Sequence, residues 1–578
     1  MTRLFNDPAA FADEVLDGFV AAHQRWVRHV PGGVVRNTAK TPGQVAVIVG
    51  GGSGHYPAFT GLVGQGLAHG AVPGNIFASP SAQQACSVAK AADNGAGVLL
   101  LFGNYAGDVL HFGHAAEILN QQGIPAKAFA VTDDVSSAPA DEADKRRGVA
   151  GNLTVFKAAS AAAEAGLSLE QVCRVAERAN DRTRSLGVAF SGCTLPGADA
   201  PLFTIPEGKM AVGMGIHGEP GIEEADVPSA DGLAELFVST LLADLPADVT
   251  DVRGQRAGVI LNGLGTVKHE ELFVVYRRVA HLLAEAGVEV VDPEVGEFVT
   301  SFDLAGASLT LFWLDEELER YWTSPADAPA FRKGSITPAP PAPDDLAPES
   351  PEQTVPEASE ESRDAAGVVL AALEAVRAVI ESNVEELGRI DAVAGDGDHG
   401  IGMQRGAVAA VGAAKEALRL GAGAGTLLAL AGDAWADKAG GTSGALWGLL
   451  LRTIANALGD KEKPTAVTVS QGVSAGLESV LKVGGAKVGD KTMVDVLAPF
   501  AETLAEGAGE QGGLAEAWEP AARRASASAE ATAGLVPRIG RARPLAEKSV
   551  GTPDAGAVSL ALIAGAVRDV LSERKDVR

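Results

Sequence analysis

Three aspartates and a histidine stand among four glycines in the stretch "IDAVAGDGDHGIGM", residues 390–403. Asp391, Asp396 and Asp398 fall within eight residues, and like charges at that spacing repel one another unless a cation lies between them. Carboxylate oxygens are the ligands that Mg²⁺, Ca²⁺ and Mn²⁺ prefer. The stretch therefore predicts a divalent-metal site.

A calcium EF-hand loop is excluded by the spacing. If the loop began at Asp396, Gly400 would stand at the third ligand position and Ala407 at the position of the bidentate glutamate. Mg²⁺ usually keeps several waters and binds a few carboxylates together with substrate phosphates, which suits so open a loop. An acidic, glycine-rich turn that caps the next helix remains the alternative.

A second polar loop, "DKAGGTSGALWG", follows at residues 437–448, where glycines flank Thr442 and Ser443 and a helix begins at once. Glycines let backbone N–H groups approach an anion, and a helix N-terminus adds partial positive charge. No GxxxxGK[ST] motif is present, so this is not a Walker A loop. A helix-packing turn of small residues would give the same pattern, but together with the acidic loop it indicates a site for a nucleotide with Mg²⁺.

In the first half of the chain, polar side chains follow predicted strands. The stretch "VAVIVGGGSGHYPAF" is typical of strand, turn and helix, but His55 replaces the third glycine of a GxGxxG fingerprint. The turn presents Ser53 and His55 instead, while "NYAGD" places Asp108 and "GIHGEPG" places His217 in similar positions. A lone histidine is more often a surface or core residue, but three such strand ends favour one shared site.

The elements that must position these residues differ between the two halves. Apolar runs such as "QVAVIVGGG", "GVLLLFGNYAGD" and "AGVILNGLG" alternate with helical stretches such as "SAQQACSVAKAADNG" and "LFVVYRRVAHLLAEAG", which predicts an α/β domain over 1–332. Strands near "KMAVGMGIHGEPG" indicate a second lobe. From 363 to 578 the pattern is helical and strand-like alternation is nearly absent, which predicts an all-α domain.

Between the two halves, residues 333–362 form a predicted linker. Gly334 to Ser362 contains seven prolines and seven acids but no basic residue, a composition typical of polyproline II and acidic coil. Such a segment could reach roughly 90 Å at ~3.1 Å per residue. The two domains therefore need not touch within one chain.

Composition restricts the partners and the compartment. The net charge of -27 would repel nucleic acid and anionic membranes. The cysteines, Cys86, Cys173 and Cys193, form no CxxC motif and suit a reducing cytoplasm. The N-terminal stretch has no signal-peptide core, and no apolar run reaches the ~18 residues that span a bilayer. We expect a cytoplasmic protein.

The chain resembles the ATP-dependent dihydroxyacetone kinase family in its single-chain form. The motifs are "GGGSGH", "NYAGD", "RRGVAG", "GIHGEPG", "NGLG" and "TSFDLAGASLTL", then "DAVAGDGDHG", "GGTSGAL", "GDKTM" and "GRA", and they cover nearly all of the chain outside the linker. The resemblance implies a two-lobed α/β ketose-binding domain and a nucleotide domain built as a barrel of antiparallel helices. It also implies a homodimer, in which each helical domain could cap the partner's ketose site.

The resemblance implies roles for single residues as well. His217 would form a covalent hemiaminal with the substrate ketone, and His55 and Asp108 would be the acid/base pair at the hydroxyl that is phosphorylated. The other implied ketose contacts are Gly52, Ser53, Gly54 and Gly103. Asp391, Asp396 and Asp398 would hold two Mg²⁺ ions. The implied nucleotide contacts are His399, Gly400, Thr442, Ser443, Thr492, Met493, Asp554, Ala555 and Gly556.

Departures from the family pattern bear on the substrate. Tyr56 stands where the family usually has glutamate, Gly103 where it usually has a substrate-contacting lysine, and "GTPDAGA" where it usually has a sequence like "GHQDPGA". Loss of the lysine is expected to open space for one more hydroxymethyl group. We therefore expect ATP-dependent phosphorylation of a primary hydroxyl of a short ketose, with erythrulose favoured over dihydroxyacetone.

Two other functions remain as alternatives. A nucleotidyl lyase that cyclises FAD would use the nucleotide domain and a divalent ion but no ketose, and the presence of His217 and His55 argues against it as the main role. A non-enzymatic ketose sensor would not need the metal-binding aspartates, which this chain has kept.

Overall fold

The computed structural model describes residues 2–219, 221–343, 355–395, 397, 399–509, 513–539 and 546–576. The chain divides into two compact units, Met1–Glu349 and Ser350–Arg578. The predicted α/β domain lies in the first unit and the predicted helical domain in the second, and both fold classes are confirmed.

The first sheet of the α/β unit is mainly parallel. Its order is β1-β2-β4-β3-β5-β6, with parallel pairing from β4 through β3 and β5 to β6. The strands are β1 (Val27–Val30), β2 (Gly33–Arg36), β3 (Ala46–Ser53), β4 (Gly70–Ile76), β5 (Val98–Gly103) and β6 (Ala126–Val131). The helices of this lobe are α1 (Phe11–Ala22), α2 (Ala82–Ala92), α3 (Ala106–Gln121), α4 (Asn152–Glu164) and α5 (Leu169–Asp181). The central strands are apolar throughout because α2 and α3 cover one face and α4 and α5 the other.

The second sheet is mainly antiparallel, with the order β11-β10-β13-β7-β8-β9 and β12 paired to β10. Its strands are β7 (Thr183–Ala189), β8 (Lys209–Val212), β9 (Glu223–Asp226), β10 (Arg256–Gly263), β11 (Glu289–Val290), β12 (Glu294–Gly296) and β13 (Gly306–Leu314). The helices α6 (Ala230–Ala243) and α7 (His269–Glu285) pack on one face. The lobe ends with α8 (Glu316–Trp322), β14 (Ala326–Asp327) and β15 (Arg332–Lys333). Residues of both sheets share one core cluster, so the two lobes form one unit.

The second unit is a ring of helices. They are α9 (Glu360–Glu381), α10 (Val384–Asp391), α11 (His399–Arg419), α12 (Ala424–Ala439), α13 (Gly441–Leu458), α14 (Ala466–Gly484), α15 (Val494–Gly509), α16 (Leu514–Ala531), α17 (Ala546–Ser549) and α18 (Ala555–Asp576). From α11 to α16 each long helix packs against the next; α18 packs on α16 and on α9, and α9 packs on α11. The ring is therefore closed, as the barrel prediction requires.

Small residues let the helices of the ring approach closely. A Cβ atom on Gly406 would lie 2.6 Å from the Trp435 indole, and one on Gly448 would lie 2.6 Å from Ala436. Part of α18, Ala555–Glu573, is long and apolar enough to cross a membrane by length and composition, although no membrane-length run was expected from the sequence. A core helix passes the same test, and α18 packs between α9 and α16.

Residues at both ends of the predicted linker, 333–362, have defined contacts in the structure. The backbone N–H of Ala39 donates to the Pro340 carbonyl at 2.8 Å, and Thr38 and Pro341 form a bridge between extended segments. At the other end, the Ser359 hydroxyl accepts the Ser362 N–H and caps α9. Proline-rich composition did not reveal these contacts because they depend on a neighbouring surface. The residues near 340 thus pack on the first unit, and helix α9 starts before 363.

Candidate active site

In the α/β unit, the loops that follow β3 and β8 meet at the segment before β13. The turn after β3 requires glycine at Gly54, which has φ +107°. A Cβ atom there would lie 2.5 Å from the Phe302 ring and 2.8 Å from the Phe77 ring. This close approach directs the next residue, His55, into the interior between the two lobes.

His55 is held on three sides. The side chain is 1% exposed, and its ring stacks on Phe77 with centroids 5.0 Å apart. Its Nδ1 lies 2.7 Å from the Thr300 carbonyl oxygen, and its Nε2 lies 3.0 Å from Nε2 of His217. Burial, and then the neighbouring His217, lower the pKa of His55 to about 3. The ring is therefore fixed in place and resists a full positive charge of its own.

His217 lies in the loop between β8 and β9. Its Nδ1 is 2.9 Å from Oε1 of Glu219, its backbone N–H donates to Oε2 of the same carboxylate at 3.0 Å, and its ring contacts Tyr105. Burial would raise the pKa of Glu219, but His217 and Arg147 together lower it below the usual range. The sequence reading missed Glu219, although it stands two residues after His217 in the same glycine-rich motif.

Asp108 lies in the first turn of α3 and is 5% exposed. Burial raises the pKa of its carboxyl to about 7, against the lowering effect of a hydrogen bond from Ser79. One carboxylate oxygen, Oδ1, has no hydrogen-bond partner among the described residues. The structure thus brings His55 and His217 into direct contact. Asp108 is linked to them only indirectly: it is hydrogen-bonded to Ser79, which lies two residues after Phe77, the ring that stacks on His55.

Of the other predicted ketose contacts, Gly52 and Ser53 are the last two residues of β3, just before the turn. The Ser53 hydroxyl donates to the Gly74 carbonyl at 2.6 Å. A Cβ atom on Gly52 would lie 2.8 Å from the backbone nitrogen of Ala78. Tyr56, the departure beside His55, is 46% exposed and packs against Phe19. The contacts of Gly52 and Ser53 stabilise the backbone around the end of β3. Their contact with a ketose stays a prediction.

At Gly103 there is no open space at the position that a Cβ atom would take, and wider room for a ketose beside this residue stays a prediction. Gly103 ends β5 and has no positive φ. A Cβ atom there would lie 3.1 Å from the ring of Tyr105 and 3.1 Å from the Gly148 carbonyl oxygen. The Tyr105 ring therefore lies against the Cβ position of Gly103, and its buried hydroxyl has no hydrogen-bond partner among the described residues. The sequence reading did not single out Tyr105.

In the helical unit, Asp391 is the last residue of α10. Its Oδ2 accepts the backbone N–H of His399 at 3.4 Å, and Nε2 of His399 lies 3.0 Å from the Ser559 hydroxyl on α18. Gly400 is buried in the first turn of α11. Asp396 and Asp398, the other predicted metal ligands, lie outside the described residues, so their positions stay predictions.

Asp554 precedes α18 and caps it, since its Oδ1 accepts the Ala557 N–H at 2.8 Å. Burial, and in addition the carboxylates of Asp391 and Asp495, raise the pKa of Asp554 to about 6. Gly556, after Ala555 in the same turn, approaches the Met493 backbone. The structure therefore brings the predicted positions 554–556 close to Met493 and Asp391, three parts of the sequence that are far apart.

The remaining predicted nucleotide contacts lie at two helix starts. Thr442 and Ser443 are exposed in the first turn of α13, directly after Gly440 at φ +63°. The Thr492 hydroxyl accepts the Val494 N–H at 3.1 Å, at the start of α15. The sequence reading passed over Lys491, which is buried and whose Nζ donates to the Leu535 and Ser549 carbonyls.

The donors near α10 suit Mg²⁺ by their chemistry. Among the residues that the structure describes, no group of three or more histidine, cysteine, aspartate or glutamate side chains could hold a metal ion. Asp391 supplies a carboxylate oxygen, and the two aspartates beyond it in the sequence would supply the same hard donor. The pKa of Asp554 is raised first by burial and in addition by the nearby carboxylates of Asp391 and Asp495, so carboxylate groups from three parts of the chain lie near one another here.

Known proteins resemble the chain over both units. A Dak1 domain matches residues 17–330 and a DAK2 domain matches residues 393–569. The L-erythrulose kinase of Pectobacterium atrosepticum is 64% identical, over 99% of this chain and 97% of that one. The D-erythrulose kinase of Mycolicibacterium smegmatis is 55% identical, over 99% of both. Among solved structures, the dihydroxyacetone kinase from C. freundii in complex with AMP-PNP and Mg²⁺ is 30% identical, with a TM-score of 0.52 over 98% of this chain and 99% of that one.

Proposed function

Because the chain belongs to the single-chain dihydroxyacetone kinase family, we propose that it uses ATP to phosphorylate a primary hydroxyl of a short ketose, with erythrulose favoured over dihydroxyacetone. The observation that carries this proposal is the buried contact between His55 and His217, with Glu219 behind it. The likeness to two erythrulose kinases supports the four-carbon substrate.

In this proposal His217 captures the ketone. An imidazole nitrogen adds to a carbonyl carbon but not to an alcohol, so glycerol would be rejected by chemistry rather than by size. The bond fixes the ketose and turns its primary hydroxyl into a positioned nucleophile. His217 is suited to this task because Glu219 occupies its Nδ1 and leaves Nε2 toward the interior.

Asp108 is the proposed general base for the hydroxyl. A base works best when its pKa lies near the operating pH, and burial raises the pKa of Asp108 to about 7. Its Oδ1, which has no hydrogen-bond partner in the described part of the chain, can accept the hydroxyl proton. His55 is the other candidate acceptor, because its Nε2 faces the same interior space as His217.

The helical unit is the proposed nucleotide domain. Asp391, Asp396 and Asp398 would hold two Mg²⁺ ions. When bound, these ions would neutralise the charge of the triphosphate. The backbone N–H groups at the start of α13, beside Thr442 and Ser443, would donate to phosphate oxygens. The loops at Thr492–Met493 and at 554–556 would contact the rest of the nucleotide.

The substrate proposal is tested by comparing kcat/KM for several candidate substrates. We expect kcat/KM for one erythrulose enantiomer to exceed that for dihydroxyacetone by about 10- to 200-fold, the range for one added group in a fitted pocket. Initial rates of ADP formation with both erythruloses, dihydroxyacetone and glycerol measure this ratio. A ratio below one would return dihydroxyacetone to first place, and FAD cyclisation without ketose turnover would favour the lyase.

We also propose a cytoplasmic homodimer that binds neither nucleic acid nor membranes. The net charge of -27 argues against nucleic-acid and membrane partners, and in a dimer the linker would let each helical domain serve the ketose site of the partner chain. Mixing His217→Ala and Asp391→Ala chains should then restore activity in verified heterodimers. Absence of recovery would favour domain closure within one chain.

A further inference from the structure

The neighbours of His55 and His217 determine which ring nitrogens of the pair carry a hydrogen. Nδ1 of His55 lies 2.7 Å from the Thr300 carbonyl oxygen, which can only accept a hydrogen bond. Nδ1 of His217 lies 2.9 Å from an oxygen of Glu219, and an ionised carboxylate can also only accept. Both Nδ1 atoms therefore carry a hydrogen.

The two Nε2 atoms are then left facing each other at 3.0 Å. If both rings were neutral, each would present a lone pair to the other and the contact would be repulsive. One added proton turns it into an N–H···N hydrogen bond of ordinary length. The contact therefore requires a pair with one positive charge in total, next to the negative charge of Glu219.

We propose that His55 and His217 share one proton, that Glu219 is the positioning residue that keeps it there, and that ketone capture passes this proton to the carbonyl oxygen. The inference rests on the proposed function for its last step only. The shared proton and the role of Glu219 concern the protein before any ketose arrives.

The surroundings of the pair allow one proton and disfavour a second. Burial and His217 lower the pKa of His55, so both rings cannot be charged together. Burial would raise the pKa of Glu219, but His217 and then Arg147 lower it below its usual range, so the carboxylate stays ionised. Arg147 lies close by: a Cβ atom on Gly215 would be 2.1 Å from Glu219 and 2.6 Å from Arg147. The titratable and charged groups that face the pair and this carboxylate are Tyr105, Asp133, Asp134, Arg147 and Glu219.

The capture step balances within the pair. As the shared proton shifts toward Nε2 of His55, the Nε2 lone pair of His217 is freed and forms a bond to the ketone carbon, and the C=O π electrons move to the oxygen, so that His55 does not hold the full charge before attack begins. The oxygen takes the shared proton from Nε2 of His55 and becomes the hemiaminal hydroxyl. The alkylated His217 ring retains its Nδ1–H and carries the positive charge opposite Glu219. His55 is left neutral, with a free Nε2 lone pair.

Two consequences distinguish this arrangement from a neutral pair. The total charge of the site does not change on capture, so no proton is exchanged with solvent. In addition, His55 changes from a proton donor before capture to a proton acceptor after it. A neutral pair would instead have to take one proton from solvent when the alkoxide forms.

Imidazole ¹⁵N NMR of the ligand-free protein tests the shared proton without any ketose. We expect protonated Nδ1 atoms on both rings and one strongly downfield proton between the Nε2 atoms. In Glu219→Gln the negative charge is gone, so the pKa of the shared proton falls and the downfield signal disappears at lower pH than in the wild type. The exposed Glu223→Gln variant on β9 is the matched control and should leave the signal unchanged. An unprotonated Nδ1 on either wild-type ring would overturn the inference.

Calorimetry of ketose binding in buffers of different ionisation enthalpy tests the transfer step. With ¹³C at the ketose carbonyl to verify covalent attachment, we expect no net proton uptake in the wild type near pH 7.5 and uptake of about one proton in Glu219→Gln. Capture should weaken about 10- to 100-fold in that variant, because a hydrogen bond to a charged group is lost. Uptake of one proton by the wild type would contradict the transfer. Absence of a ¹³C adduct would refute the hemiaminal of the proposed function and the transfer with it, whereas the ¹⁵N spectra would still decide the shared proton.

Discussion

The two candidate sites are prepared for their ligands to different degrees. In the α/β unit, His55 and His217 are buried, hydrogen-bonded to each other and held from behind by Thr300 and Glu219. In the helical unit, Thr442 and Ser443 are exposed at the start of α13. One site is thus assembled before a ligand arrives, whereas the other leaves the first turn of α13 open to solvent.

The difference follows from the chemistry that each site would perform. Addition of an imidazole to a ketone requires a defined tautomer and a proton at a defined atom, and only fixed neighbours can supply both. Phosphoryl transfer depends mainly on positioning and charge neutralisation, which the metal and the triphosphate bring with them. Variants of one site should therefore leave the partial function of the other intact.

The largest effect is expected from Asp391→Ala. Loss of a metal ligand removes several kcal/mol of transition-state stabilisation, so turnover should fall about a thousandfold or more. Capture of ¹³C-labelled ketose should stay at the wild-type level. The exposed Asp364→Ala on α9 is the control. Near-normal turnover of Asp391→Ala would remove this residue from the metal site.

The converse variant, His217→Ala, should abolish covalent capture and reduce kcat/KM about a hundredfold, the scale of a misplaced substrate. Affinity for AMP-PNP with Mg²⁺ should not change, which calorimetry can measure. His114→Ala, an exposed histidine on α3, is the control. A ¹³C adduct in His217→Ala would assign the nucleophile to another residue.

The pH profile tests Asp108. Because its pKa is raised to about 7, the carboxyl is protonated below that value and cannot accept a proton, so kcat/KM should fall about tenfold per pH unit below 7. The same raised pKa affects stability in the opposite direction from activity. Asp108 contributes to the free energy of unfolding most fully below pH 4, and this contribution is lost as pH rises through 7. Ser79→Ala removes a hydrogen bond that lowers this pKa, so the inflection should move upward. An unmoved inflection would assign it to another group.

The smallest effect is expected from Tyr105→Phe. The hydroxyl is buried without a described partner beside His217, so a ketose hydroxyl can pair with it. Loss of one such hydrogen bond, ~1 kcal/mol, should raise KM about fivefold and leave kcat unchanged. The free energy of unfolding of the ligand-free protein should not fall, since no hydrogen bond is lost there. A loss of stability without a change in KM would contradict this pairing.

Much of the fold could be predicted because its pattern is local. The apolar runs of β3, β5 and β10 and the amphipathic spacing of α7, α9 and α14 each lie within one short stretch of sequence. Helices α11 and α12 were not singled out, since alanine and glycine give little contrast between their faces. The ring uses those small residues for close packing, as Gly406 against Trp435 demonstrates.

The meeting of His55 and His217 could be predicted from the sequence, but the residues that hold them could not. His55, Asp108 and His217 stand out in the sequence because each follows an apolar strand or a glycine-rich motif, and their catalytic roles stay predictions. Thr300, which fixes the tautomer of His55, is 245 residues away in sequence, and nothing local indicates that contact. Gly103 shows the same limit: the sequence reveals which side chain is missing, but not that the Tyr105 ring lies against the Cβ position.

The closed ring of helices has a consequence for biosynthesis. Helix α9 leaves the ribosome first and α18 last, yet the two pack side by side, and contacts between distant parts of a chain slow folding. Until α18 emerges, the parts of α9 and α16 that α18 covers stay exposed, and the turn at 554–556 does not yet exist. A nascent chain would thus pass through a stage with an open seam, at which chaperones could recognise it before the proposed nucleotide site is complete.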